Sequence, residues 1–146
     1  MKGGIVTIML ATFLFACSPA RFVKPLAKKQ QALDLSLGGP LFRMDITTIP
    51  MPFLSATYGY GIDSTLTGFG AVNITSALYG NFQMELGVTK QLFKQSGIVP
   101  AVSVIPVCNV IYRNKDATKF YPQLDIYSFW EYGKKYNLFY VGVSNW

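Results

Sequence analysis

The chain has 146 residues, 51% hydrophobic and only 14% charged, so it is neither disordered nor a typical soluble domain, in which about 25% of residues are charged. It contains no histidine, and its two cysteines, Cys17 and Cys108, cannot form a zinc site of the usual composition. The formal charge is +6, but four of the positive residues lie within residues 21–29, so the basicity is local and does not indicate a nucleic-acid-binding face.

Residues 1–16 are predicted to be a secretory signal peptide. Lys2 precedes an uncharged apolar run over residues 5–16, which has the length of a signal-peptide h-region. A transmembrane helix needs roughly 20 apolar residues, and this run ends at Cys17-Ser18-Pro19, where a helix would be interrupted. We therefore expect a peptidase to remove the segment.

The boundary sequence Leu14-Phe15-Ala16-Cys17 resembles the lipobox of bacterial lipoproteins, in which an aliphatic, a tolerant and a small residue precede an invariant cysteine. The resemblance implies cleavage before Cys17, diacylation of its thiol and an acylated N-terminus. The residue after the cysteine is Ser18 and not an aspartate, which resembles lipoproteins destined for the outer membrane. The alternative is an ordinary signal peptide cleaved after Ala20. Residues 17–31 are predicted to form a lipidated basic tether, whose charges either contact anionic headgroups or are solvated.

From residue 32 onward, side chains alternate between apolar and polar, as expected for β-strands. Over 82–92 the apolar face carries Phe82, Met84, Leu86 and Val88, and the other face carries Gln83, Glu85, Gly87, Thr89 and Gln91. Turn residues divide the chain into seven predicted strands at about 32–42, 52–60, 65–79, 81–94, 98–112, 119–132 and 136–146. The predicted fold is all-β: an antiparallel up-and-down meander that forms a β-barrel of about seven or eight strands over residues 32–146.

Strand length and the polar face favour a membrane barrel over a soluble one. Several predicted strands have 12–14 residues, whereas soluble strands have about 5–6 and tilted membrane strands need about 9–11. The polar face is mostly uncharged, as a filled or wet lumen would be. In this pattern residues 32–146 resemble the outer-membrane β-barrel class. Such barrels usually have an even number of strands, whereas seven are predicted here. We therefore expect an additional edge strand in 43–51, closure with a partner, or a chain that ends before its natural barrel does.

Six polar residues are candidates for the inward face: Gln83, Glu85, Thr89, Gln91, Gln123 and Asp125. Glu85 and Asp125 either face each other as a carboxylate pair or, as the simpler reading, each pair separately with Arg, Tyr or water. Lys90 is expected to extend from the apolar face toward headgroups, and Cys108 to act as a small hydrophobic residue. The glycines at 59, 61, 68 and 70 are expected to form bends and bulges.

The expected function is that of a lipid-anchored outer-membrane β-barrel protein with a structural or accessory role in the bacterial envelope. No enzymatic activity, cofactor or metal is expected, because the chain lacks histidine and any motif with catalytic spacing. The expected partners are membrane lipid, through acylated Cys17 and the apolar barrel face, and an envelope protein, with no nucleic acid. The alternative is a lipoprotein on the periplasmic face of the outer membrane, with a lipocalin-like soluble barrel that binds a hydrophobic ligand.

Overall fold

The protein is an all-β meander, as the alternation predicts. The computed structural model describes residues 21–38, 41–44, 47–50, 53–113, 117–133 and 137–145. Seven antiparallel strands form one sheet that curls into a half-barrel, and two short strands form a second sheet. The main sheet contains, in spatial order, β1 (Gln31–Gly38), β4 (Phe53–Asp63), β5 (Leu66–Asn73), β6 (Asn81–Phe93), β7 (Ala101–Arg113), β8 (Lys119–Glu131) and β9 (Leu138–Asn145).

Two parts of the chain differ from the predicted strands. The region 43–51, where an additional edge strand was one expectation, contributes to a separate hairpin of β2 (Leu41–Met44) and β3 (Thr47–Pro50). The predicted strand 65–79 is wrong in its last part, because residues Ile74–Leu78 form a short helix, α1. Asn73 caps this helix, since its side chain accepts a hydrogen bond from the Ser76 amide at 3.0 Å. Such a local side-chain acceptor gives the backbone an alternative to the strand ladder.

The two faces of the sheet differ in polarity. On β6, Glu85 and Thr89 are buried on the concave side, whereas Phe82 and Leu86 on the convex side are about half exposed. The same alternation holds on the neighbouring strands, so the convex face is almost entirely apolar. In the described parts of β1 and β4–β9, its one charged side chain is Lys90, near the end of β6.

The core lies on the concave side, between the sheet and the residues that precede β1. Residues 21–26, which we call the inner segment, run along the inside of the half-barrel. Phe22 packs edge-on against Phe69 with ring centroids 6.4 Å apart. The inner segment contributes Val23 to the buried cluster. The sheet contributes the other residues, which are Phe69, Ala101, Ile105, Val107, Tyr127 and Phe129.

Two glycines of β4 make room for the chain inside the half-barrel. A Cβ atom on Gly59 would fall on the ring of Phe22, and one on Gly61 would fall on the carbonyl of Ala27. The expectation that bends and bulges explain these glycines is therefore incomplete. The register shifts between Gly61 and Asp63, so a bulge accompanies Gly61, but close approach of the residues before β1 is what both positions have in common.

Candidate functional site

The most densely charged part of the interior is a cluster of one arginine and two carboxylates. The Arg21 guanidinium donates from Nη2 to Glu85 Oε2 at 3.0 Å and from Nη1 to Asp125 Oδ2, and it lies between β6 and β8. The Arg21 side chain is 1% exposed and that of Asp125 is fully buried. Such charges are stable away from water only when they are paired and hydrogen-bonded, so the three side chains depend on one another.

Amides extend the cluster across the floor of the half-barrel. Gln123 donates to Asp125 Oδ1 at 2.8 Å, and its Oε1 accepts from Arg21 at 3.3 Å and from Asn109 at 3.1 Å. The Asn109 amide also donates to the Tyr121 carbonyl at 3.3 Å. Gln123 thus orients the Asp125 carboxylate and the Arg21 guanidinium, and Asn109 in turn orients Gln123. Each hydrogen bond restricts the positions that the bound group can adopt.

Three inward hydroxyls on β5, β6 and β7 bind the backbone of the inner segment. Thr89 Oγ1 donates to the Phe22 carbonyl at 2.7 Å, Ser103 donates to the Val23 carbonyl, and Thr67 Oγ1 accepts from the Leu26 amide at 2.7 Å. Three neighbouring strands, β5 to β7, therefore satisfy backbone groups that would otherwise be buried without partners. The polar inner face acts as a receptor for this chain's own N-terminal residues.

The six predicted inward residues divide into two groups. Four of them, Glu85, Thr89, Gln123 and Asp125, are buried on the concave side and contact the inner segment or its arginine. Gln83 instead accepts from Asn73 at 3.2 Å, and Gln91 donates to the Phe93 carbonyl at the exposed end of β6. Glu85 and Asp125 share Arg21 as a partner, so neither the carboxylate pair nor the separate pairing describes them fully.

Arg21 is the functional residue that the sequence analysis did not assign to the site. It fell within the predicted tether, yet the structure buries Arg21, Val23 and Pro25. A signal was present, because two carboxylates on the inward face need a cation, and none of the predicted strands places a lysine or arginine beside them. Cys17 lies outside the described residues.

Two further predicted positions lie on the convex face. Cys108 is a free, exposed thiol in β7, flanked on that face by apolar residues. Lys90 Nζ donates to Thr65 Oγ1 at 2.9 Å, at the end of the half-barrel where β5 begins. Lys90 therefore lies on the apolar face, where the sequence pattern placed it.

The described interior offers little room for a ligand. A cavity of about 10 Å³ lies beside Glu85 and is bordered by Ser55, Asn73 and Gln83, which is space for about one water molecule. Within the described ranges, no group of three or more acidic or cysteine side chains is placed to hold a metal ion. No helix in that part of the chain is long and apolar enough to cross a membrane.

Comparison with known proteins gives no match, whether with protein families, curated proteins or solved structures.

Proposed function

We propose that the chain is a lipid-anchored β-barrel protein of the bacterial outer membrane, with a structural or accessory role. One observation carries the proposal: the sheet presents apolar side chains outward, and in its described strands Lys90 is the one charged residue on that face. Among the described residues, 25 large hydrophobic side chains are exposed and most of them lie on this outward face, far more than isolated surface residues would account for. Acyl chains are the environment in which such a surface is stable.

The height of the apolar surface fits a bilayer. Strands β6, β7 and β8 have 13 residues each. At about 3.3 Å per residue and a tilt of about 45°, such a strand rises roughly 30 Å, which is the thickness of the hydrocarbon core. The length of the central strands therefore supports the membrane proposal independently of their composition.

Aromatic side chains lie toward both ends of the outward face. At one end, Phe82 on β6 pairs with Tyr112 on β7, and Phe120 lies at the same end of the neighbouring strand β8. At the other end Trp130 contacts Phe139 with ring centroids 5.7 Å apart. Amphipathic rings at the two boundaries of an apolar band are typical of membrane barrels, and Lys90 at one boundary can extend toward headgroups.

The burial of Arg21 shortens the proposed tether. If Cys17 is acylated, only residues 18–20 separate the anchor from an arginine fixed inside the half-barrel. A fully extended chain spans at most about 3.6 Å per residue, so the acylated residue would lie within about 14 Å of Arg21. Anchor and sheet would then be held at the same patch of membrane.

The lipocalin-like alternative has less support. It needs an apolar interior with room for a ligand, whereas the described interior holds the Arg21 cluster and is filled by Phe22 and Val23. A catalytic role is not proposed either, because both interior carboxylates are engaged by Arg21. An envelope protein remains the proposed protein partner.

The membrane proposal predicts that the mature chain depends on detergent. A Cys17→Ala form beginning at residue 17 removes the anchor and leaves the apolar face as the only reason to bind lipid. We expect it to aggregate in buffer and to give a folded β-sheet spectrum in detergent micelles or phospholipid vesicles, measured by circular dichroism and light scattering. A folded monomer in buffer without detergent would contradict the proposal.

The anchor predicts acylation at one cysteine only. Metabolic labelling with a palmitate analogue should label the wild-type chain and the Cys108→Ala variant equally, because Cys108 lies in a strand and outside the lipobox. The Cys17→Ala variant should lose the label. Persistence of label in that variant would overturn the assignment of Cys17.

A further inference from the structure

The half-barrel has two open edges that match in length and direction. The first and last strands of the main sheet, β1 and β9, each have eight residues, and neither pairs with a second neighbour in the described residues. Each strand is antiparallel to the next, so β1 runs antiparallel to β4 and in the same direction as β9. Both edge strands begin at the end of the half-barrel that carries Lys90.

The outward side chains at these edges lack flanking neighbours. Leu33, Leu35 and Leu37 on β1 are 69%, 66% and 79% exposed. On the central strands Leu86 and Leu124 are only 50% and 46% exposed. The difference is what a missing adjacent strand produces, because neighbouring side chains on one face cover part of each other.

An open edge is costly in lipid, since each unpaired backbone group in the hydrocarbon core costs several kcal/mol. The sheet curls only into a half-barrel, in whose described residues β1 and β9 do not pair with each other, and strands β2 and β3, with four residues each, are too short to cover an edge of eight residues. Closure therefore needs another sheet with the same curvature, the same strand length and the same apolar height.

We propose that two copies of this chain close one barrel, with β1 of each copy beside β9 of the other. A second copy has the required curvature and height by construction, and rotation by half a turn about the barrel axis joins both pairs of edges at once. Because β1 and β9 run in the same direction, the two junctions between the copies are parallel, whereas all neighbours within each copy are antiparallel. Two seven-stranded half-barrels make fourteen strands, a size within the range of membrane barrels, and the two inner segments lie in the lumen. This inference rests on the proposed membrane location.

Cysteine trapping tests the arrangement. In a mature Cys17→Ala, Cys108→Ala background, the single variants Leu35→Cys and Val141→Cys are refolded together in detergent and oxidised. Both positions face outward on opposite edges, and paired strands bring Cα atoms within disulfide range. Because the register of the new junction is not fixed, Leu33→Cys and Leu37→Cys are each mixed with Val141→Cys as well.

We expect a disulfide-linked dimer in at least one mixture. It should account for at most about half of the chain, because random assortment of two variants in a twofold dimer makes half of the dimers mixed. Either single variant refolded alone should stay unlinked, since the half-turn keeps the two β1 strands apart. A mixture of Leu35→Cys with Leu86→Cys is the matched control, because Leu86 lies on the central strand β6, and it should give no dimer.

Two results would overturn the inference while leaving the membrane proposal intact. One is an intrachain disulfide in a monomeric Leu35→Cys, Val141→Cys double variant, which would show that the chain closes on itself. The other is a folded, detergent-dependent protein that is monomeric by native mass spectrometry and unlinked in every mixture. Failure of the membrane proposal would instead be seen as a folded protein in buffer alone.

Discussion

Replacement of Arg21 with alanine is expected to destabilise the folded protein by about 3–5 kcal/mol, the usual cost of removing one member of a buried ion pair. The variant leaves Glu85 and Asp125 buried without the cation that both of them contact. The loss should release the inner segment first, because Arg21 is its buried charged attachment to β6 and β8. Denaturant unfolding in micelles measures the total effect, and the rate of tryptic cleavage at Lys28 and Lys29 reports the release.

Two controls separate the charge imbalance from a loss of packing. Lys24→Ala removes the neighbouring ion pair with Glu131, but the Lys24 side chain is 44% exposed, so we expect a change below about 1 kcal/mol. The triple variant Arg21→Met, Glu85→Gln, Asp125→Asn removes all three charges together and should recover most of the lost stability. A triple variant as unstable as Arg21→Ala would contradict the electrostatic explanation.

Most of the fold could be predicted from the sequence because the information is local. Alternation with period two depends on neighbouring residues in one strand, and it places Leu86 and Glu85 on opposite faces of β6, as the structure has them. The end of β5 was missed for a local reason as well. The Asn73 side chain accepts from the Ser76 amide three residues further along and so favours a helical turn, although the hydrophobic pattern continues past it.

The candidate site could be predicted only in part, since its central contact joins distant parts of the chain. Arg21 is 64 residues from Glu85 and 104 residues from Asp125, and no periodicity connects them. The tether prediction followed from prolines and charges within residues 18–31, which are equally compatible with an extended segment bound inside a sheet. Gly59 and Gly61 allow that segment to pack closely against β4. The sequence alone does not distinguish a glycine that permits a bend from one that permits a close approach.

Substitution of Leu86 with arginine tests the surroundings of the outward face directly. Leu86 lies near the middle of β6 and is half exposed, so in water the exchange should change stability by no more than about 0.5 kcal/mol. In a bilayer the same arginine would lie near the midplane, where it costs about 2–4 kcal/mol. We expect the larger value for the unfolding free energy in phospholipid vesicles, measured by guanidinium titration and tryptophan fluorescence.

The matched control for depth is Phe82→Arg, on the same face of the same strand but at its beginning. An arginine at the membrane interface costs only about 0–1 kcal/mol, because the side chain can reach headgroups and water. The ratio between the two positions is therefore the informative quantity, since general damage to β6 would affect both. Equal effects at the two positions, or an effect at Leu86 below about 0.5 kcal/mol, would place the convex face in water or against protein instead of acyl chains.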